Sequence, residues 1–170
     1  MLYSDAFSKG SLESYMENLI AAVTAAILSL VPHWKSEAAA TRAEQYATII
    51  VEESQAVQPP IDPFLVAAIA FKESSFRAKV KGKKGEVGLM QIMPRGAVTR
   101  AITKERMTDV RSNVRVGVGH LHYWQKECGP DKMDVWLSAY NLGKCKRTKY
   151  AKRVRRVYCR IKPGGCGGVS

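Results

Sequence analysis

The sequence predicts a mainly α-helical fold organised as one domain. Apolar residues recur at helical intervals in successive segments, several of them preceded by a Ser or Asp able to cap a helix and closed by Pro or Gly. Extended signals are scarce: residues 77–86 hold five Lys or Arg and two Gly, so they can build no core. They read as a small irregular β element near residues 77–90. At 170 residues and 46% hydrophobic, the chain has apolar surface for one core and too little length for a second full domain.

Taken in order, the elements follow from local chemistry. The apolar stretch 19–31 is 13 residues long, too short for a bilayer core that needs about 20 helical residues. A secretory signal of that length wants a positive flank, whereas Asp5, Glu13 and Glu17 stand here against Lys9. The stretch is therefore read as a helix ending near Pro32 and packed on the domain, within an N-terminal helical extension of residues 1–35. Ser36 caps a helix running through Tyr46, Ile49, Ile50 and Val57 to the stop at Pro59-Pro60. Asp62 caps the next, with Pro63 at the first position where a missing N–H costs nothing, and Phe64, Leu65, Ala68, Phe71 and Ser75 following at helical spacing. Asp109 caps a helix reaching about Lys126, and Asp131 another ending at Gly143. A basic helix from about Arg147 to Ile161 closes the main domain, residues 36–162, and a Gly-rich tail occupies 163–170.

Net charge narrows the partners. The chain carries +12 overall, but residues 1–62 carry −5 and residues 63–170 carry +17, so an anionic partner belongs to the second part. The aromatic and apolar content excludes a disordered polycation. Cys128, Cys145, Cys159 and Cys166 contain no CxxC pair, and His33, His120 and His122 form no HExxH, so no metal site is expected. Four cysteines in the last 43 residues allow two disulfides in any of three connectivities, or four free thiols, and spacing leaves both open.

Glu73 is the first candidate for chemistry. Val66, Ile69 and Ala70 precede it on one helical face, so its carboxyl continues an apolar stripe. Desolvation raises a carboxyl's pKa and lets it donate a proton near neutrality, as a glycosidic leaving group requires. The structural alternative is an ion pair with Lys72 or Arg77. Residues 85–94 add two glycines for tight turns, the Leu89-Met90 pair and the amide of Gln91, which can donate and accept toward sugar hydroxyl or N-acetyl groups. Residues 138–143 place Tyr140 and Asn141 at a helix end before Gly143.

In this order and spacing, Glu73-Ser74-Ser75, residues 85–91 and Ala139-Tyr140-Asn141 resemble the three signature motifs of soluble lytic transglycosylases, which share the goose-type lysozyme-like helical fold. The resemblance runs from about Ile61 to Arg160 and takes in the linking helix that starts near Asn113. It implies cleavage of the β-1,4 bond between N-acetylmuramic acid and N-acetylglucosamine in peptidoglycan by one acid, Glu73, without cofactor, giving a 1,6-anhydro sugar. It further implies that Tyr140 orients Glu73, that Ser74, Gln91 and Asn141 contact the sugars, and that Met90 lines the cleft.

One departure is Glu86, where the family usually has a small residue; as a second carboxylate it would permit muramidase (lysozyme) hydrolysis. The competing reading has Glu86 solvated and balanced by Lys83 and Lys84. Residues 144–162 hold ten Lys or Arg interleaved with Tyr150, Val154, Val157, Tyr158 and Ile161, a polyanion-binding pattern. A nucleic-acid-binding protein is the alternative from another class, but no RNA-binding signature or helix-turn-helix accompanies the cluster, and no nucleic acid is expected. An anionic cell envelope or membrane surface explains the charge and agrees with the motifs. The expectation is a monomer acting on the bacterial wall, in the periplasm or outside the cell, in the manner of a phage endolysin or another bacteriolytic enzyme, its export route left open. A periplasmic enzyme assisting a secretion apparatus is the second setting.

Overall fold

The computed structural model describes residues 9–94 and 106–167. The first eight residues of the expected extension and the last three of the expected tail lie outside them. Among these residues six helices follow in order: α1 (Lys9–Leu30), α2 (Glu37–Gln55), α3 (Pro63–Ser74), α4 (Val110–Cys128), α5 (Met133–Leu142) and α6 (Lys149–Ile161), with a 3-10 turn at Arg106–Thr108 before α4. Among the described residues there is no strand. The expected β element is reduced to two isolated antiparallel bridges, Lys81 with Val87 and Val87 with Ile92.

Three predicted caps form. Ser36 accepts from the Ala39 N–H, Asp62 from Phe64 and Asp109 from Ser112, each oxygen satisfying an N–H with no partner inside its helix. Asp131 does not cap α5. Lys132 takes that position without a side-chain bond, because the turn in which its N–H donates to the Gly129 carbonyl carries the chain one residue further before the helix starts. Other boundaries move as well. α1 begins ten residues before its apolar stretch, α2 ends at Gln55 short of Val57, and α6 is capped by Thr148.

α3 lies at the centre. Every residue from Pro63 to Ala70 is buried, and the helix packs against α1, α2 and α6. A helix apolar on all sides is stable only when surrounded. α1 contributes Val23, Ala26, Ile27 and Leu30 to the same core, and α4 and α5 pack together with α6 to close the far side. Tyr158 ties the ends of two helices, donating to the Asp62 carboxylate at 2.7 Å while Lys162 donates to the tyrosine oxygen at 2.8 Å. The four cysteines form two disulfides. Cys128–Cys145 joins the end of α4 to the loop after α5, and Cys159–Cys166 fastens the start of the tail to α6.

α2 and α4 are joined by a charge clamp. Glu53, 6% exposed, accepts from Arg115 at 2.9 and 3.0 Å and from Arg111 at 3.1 Å. Burial alone would push its pKa up, but the hydrogen bonds and charges of the two arginines outweigh it and hold the carboxyl below its ordinary 4.5. A depressed native pKa gives stability that is present above the unfolded value and lost as pH falls through the native one. The melting temperature is therefore expected to fall as pH drops below about 4.5, and Glu53→Gln, which cannot titrate, is expected to flatten that slope in thermal melts at stepped pH.

Candidate active site

Glu73 sits one residue before the end of α3, where the buried helix meets the surface. Its C-cap, Ser75, is left-handed at φ 52°, and Phe76 follows at φ 59° with its ring buried. Two successive non-glycine residues in this region cost free energy, offset here by the packing of Phe76 against Phe71 and Trp34. The bend turns the chain sharply away just beyond Glu73.

Tyr150, in the first turn of α6 and 7% exposed, donates its hydroxyl to Glu73 Oε1 at 2.5 Å. Burial raises the Glu73 pKa, the Tyr150 hydrogen bond pulls it back, Glu86's negative charge pushes it up again, and Arg153 and Lys72 oppose that. The net direction is upward. Tyr150 itself is held well above the ordinary phenol range, first by burial and then by Glu73's charge, so it stays protonated and acts as donor. The ion-pair alternative is not what forms here. Arg77 instead turns back, its Nε donating to the Ser74 carbonyl at 2.9 Å.

The hydrogen bond to Glu73 thus comes from Tyr150, and not from Tyr140, to which the resemblance gives the orienting role. Tyr140 is buried one layer below, donating to the Met90 carbonyl at 2.8 Å, with its pKa raised well above 10.0 by burial and then by Glu73's charge. Ser74 and Met90 face inward in this structure. Ser74 is 2% exposed and its hydroxyl donates to the Ala70 carbonyl at 3.0 Å, so it faces the helix rather than the opening, and the exposed serine is Ser75. Met90 is fully buried: a Cβ on Gly117 would strike its sulfur, so the side chain fills the gap above α4 and does not line a cleft.

The loop carrying Gln91 is a compact knot. The backbones of Val87 and Ile92 bond each other in both directions at 3.0 Å, and Gly88 N–H donates to the Val80 carbonyl at 3.0 Å. Gln91 is left-handed at φ 50°, and its amide nitrogen donates to the carbonyls of Gly88 at 2.9 Å and Val80 at 3.2 Å. Its half-buried side chain keeps the oxygen as an acceptor. Asn113, wholly buried in α4, anchors the loop: its oxygen accepts from Met90 N–H at 2.7 Å and its nitrogen donates to the Val87 and Met107 carbonyls, both at 2.9 Å. Gly88, at φ 82°, is required there, since a Cβ would overlap the Asn113 amide and stand 2.6 Å from the Met107 carbonyl.

Glu86 is half-buried on the same loop, its carboxylate accepting from the Lys84 backbone N–H at 3.0 Å. Asn141 is exposed on the last turn of α5, with Gly143 closing that helix at φ 76°. Behind them His120, whose pKa burial lowers, accepts from Trp124 Nε1 at 2.9 Å and packs on Tyr140 at 5.3 Å. α6 buries Tyr150, Ala151, Val154, Tyr158 and Ile161 and exposes Lys149, Lys152, Arg153, Arg156 and Arg160. Among the described residues no group of three or more His, Cys, Asp or Glu could hold a metal ion, and no helix is long and apolar enough to cross a membrane.

Comparison with known proteins converges on the same segment. The family model described as transglycosylase SLT domain matches residues 50–158, from the second half of α2 to α6. The chain is similar to the soluble lytic murein transglycosylase of Salmonella typhimurium (strain LT2), at 34% identity over 85 residues. It is similar to that of Escherichia coli (strain K12) at 33% over 85 residues. Each alignment takes in 45% of this chain and 13% of the relative's length, so the chain matches a small part of those proteins. No solved structure matches.

Proposed function

The chain belongs to the transglycosylase SLT domain family, and on that premise we propose that it cleaves peptidoglycan between N-acetylmuramic acid and N-acetylglucosamine by lytic transglycosylation. The observation that carries this reading is the desolvated carboxyl of Glu73, held by a buried phenol at the surface end of the central helix. Protonated, Glu73 gives its proton to the glycosidic oxygen as the bond from C1 to that oxygen breaks. The muramoyl C6 hydroxyl oxygen then bonds to C1 while its proton passes to the Glu73 carboxylate. The acid is regenerated, a 1,6-anhydro ring is formed and no water is consumed. Tyr150 keeps Oε1 in one orientation through both transfers, which conserves the alignment the reaction needs.

Toward the sugar, the side-chain oxygen of Gln91 and the exposed amide of Asn141 serve as partners for hydroxyl and N-acetyl groups. Tyr140, Met90 and Ser74 act through the framework that holds the loop and the end of α3. The exposed cations of α6 supply adhesion to an anionic envelope or membrane surface. The two disulfides agree with work outside the reducing cytosol, the setting of a bacteriolytic, endolysin-like enzyme or of a periplasmic one serving a secretion apparatus.

A hydrolytic reading stays in play through Glu86, whose charge acts on Glu73. If Glu86 activated water, Glu86→Ala would cost roughly 10²–10⁴ in turnover. The transglycosylase reading expects a change of less than about threefold, with the pH limb set by Glu73 moving to lower pH because a charge that raises its pKa is gone. Rates of clearing of purified peptidoglycan across pH decide between them. The same preparation is expected to leave DNA and RNA unbound at about 0.15 M salt, where a polyanion reader of nucleic acid would still bind.

A further inference from the structure

We infer that the open cavity beside the end of α3 is a second recognition site, which takes the carboxylate-bearing peptide attached to the glycan. The inference rests on peptidoglycan being the substrate and adds a part of it that the sugar contacts do not reach. The cavity measures about 850 Å³, the size of sites that hold small ligands. Its far wall comes from the loop before α2 and from the first half of α2, through His33, Trp34, Arg42 and Tyr46. All four precede residue 50, where the family match begins, so this half of the site belongs to the chain's own N-terminal part.

The chemistry of the walls selects the ligand. Arg42, Arg77 and Lys79 line the cavity with no carboxylate among the lining residues, and all three are exposed. The Arg42 guanidinium lies 5.3 Å over the Trp34 ring, a contact that holds the cation at the cavity wall, where its fork of donors suits a carboxylate. Among the described residues the Arg77 side chain hydrogen-bonds only through its Nε, to the Ser74 carbonyl, which leaves its terminal nitrogens for a ligand. The floor is aromatic: Trp34 packs on Tyr46 at 6.5 Å and on Phe76 at 6.3 Å. Cations over an aromatic floor suit a ligand with both carboxylates and aliphatic carbon, which a short acidic peptide has and a phosphodiester polymer lacks.

Position supplies the second argument. Ser75 lines the cavity and is two residues from Glu73, so the two α-carbons stand within about 7 Å. The peptide of peptidoglycan hangs from the lactyl group of the same muramoyl residue whose C1 must reach Glu73. A glycan seated for cleavage therefore delivers its peptide to this neighbourhood.

The test is calorimetric binding to the full chain, with four probes: a soluble acidic stem peptide, the same peptide with its carboxylates amidated, inorganic phosphate, and peptide-free glycan. The acidic peptide is expected to bind, and amidation to weaken it at least tenfold. Arg42→Gln combined with Lys79→Gln is expected to do the same while thermal melts show a folded protein, and Trp34→Phe to remove the fluorescence change on binding. The amidated peptide decides the question on the wild-type protein should a variant misfold. Equal binding of both peptides, no binding of either, or binding of phosphate alone would overturn the assignment. Because the probe peptide contains no glycosidic bond, this result is separate from whether the wild-type protein cleaves glycan, and only loss of cleavage bears on Glu73.

Discussion

Glu73→Gln is expected to reduce wall-degrading turnover by roughly 10³-fold or more, because the one group proposed to give the proton and then take one back is gone. Gln is close in shape, so the protein should remain folded, and its stability supplies an internal control. The native pKa of Glu73 is raised, so its contribution to stability is full below the unfolded value of about 4.5 and is lost as pH rises through the native value. An amide at this position never incurs that loss. The variant is therefore expected to melt at or above the wild-type temperature at neutral pH, with the difference vanishing below about pH 4.5. An inert but more heat-resistant protein separates chemistry from folding. A folded variant that clears peptidoglycan at near-normal rate contradicts the role given to Glu73.

The second large effect is expected at Tyr150. Tyr150→Phe keeps the buried ring and removes only the donor to Oε1, so turnover should fall roughly 10- to 100-fold through lost orientation. The same hydrogen bond lowers the Glu73 pKa, so its removal raises that pKa further and carries the limb where Glu73 must be protonated to higher pH. A turnover profile against pH shows this directly. Tyr140→Phe acts through the Met90 carbonyl and the loop, and is expected to raise KM while leaving the limb where it was. An unmoved limb in Tyr150→Phe, or a moved one in Tyr140→Phe, would reverse the two assignments.

These two tyrosines also show where sequence reading stops. Ser36, Asp62 and Asp109 announce helix starts because an N-cap is a local bond between near neighbours, and Gly143 announces an end for the same reason. Asp131 fails because the Gly129–Lys132 turn that contains it, not its side chain, decides where α5 begins. Glu73 was legible from its apolar stripe and its motif. Its partner was not, since Tyr150 lies 77 residues away in a segment whose cations dominate its reading, and only the packing of α6 on α3 brings the two together. The resemblance gives Ser74 and Met90 a position in a motif but not the side each faces: a helix back-bond turns one inward and Gly117 receives the other. Asn113 stood in the linking helix without a role, because three bonds to one loop are a tertiary fact. The pairing of the four cysteines, open in the sequence, is fixed by which helix ends meet.

Lytic transglycosylation differs from hydrolysis in that the substrate's own hydroxyl, rather than water, closes on C1. Mass spectrometry of the products from purified peptidoglycan, digested in water enriched in oxygen-18, measures this most directly. Muropeptides ending in 1,6-anhydro sugars, lighter by one water than reducing ends and free of the label, are expected. Reducing ends carrying one labelled oxygen would contradict lytic transglycosylation and would make the enzyme a hydrolase.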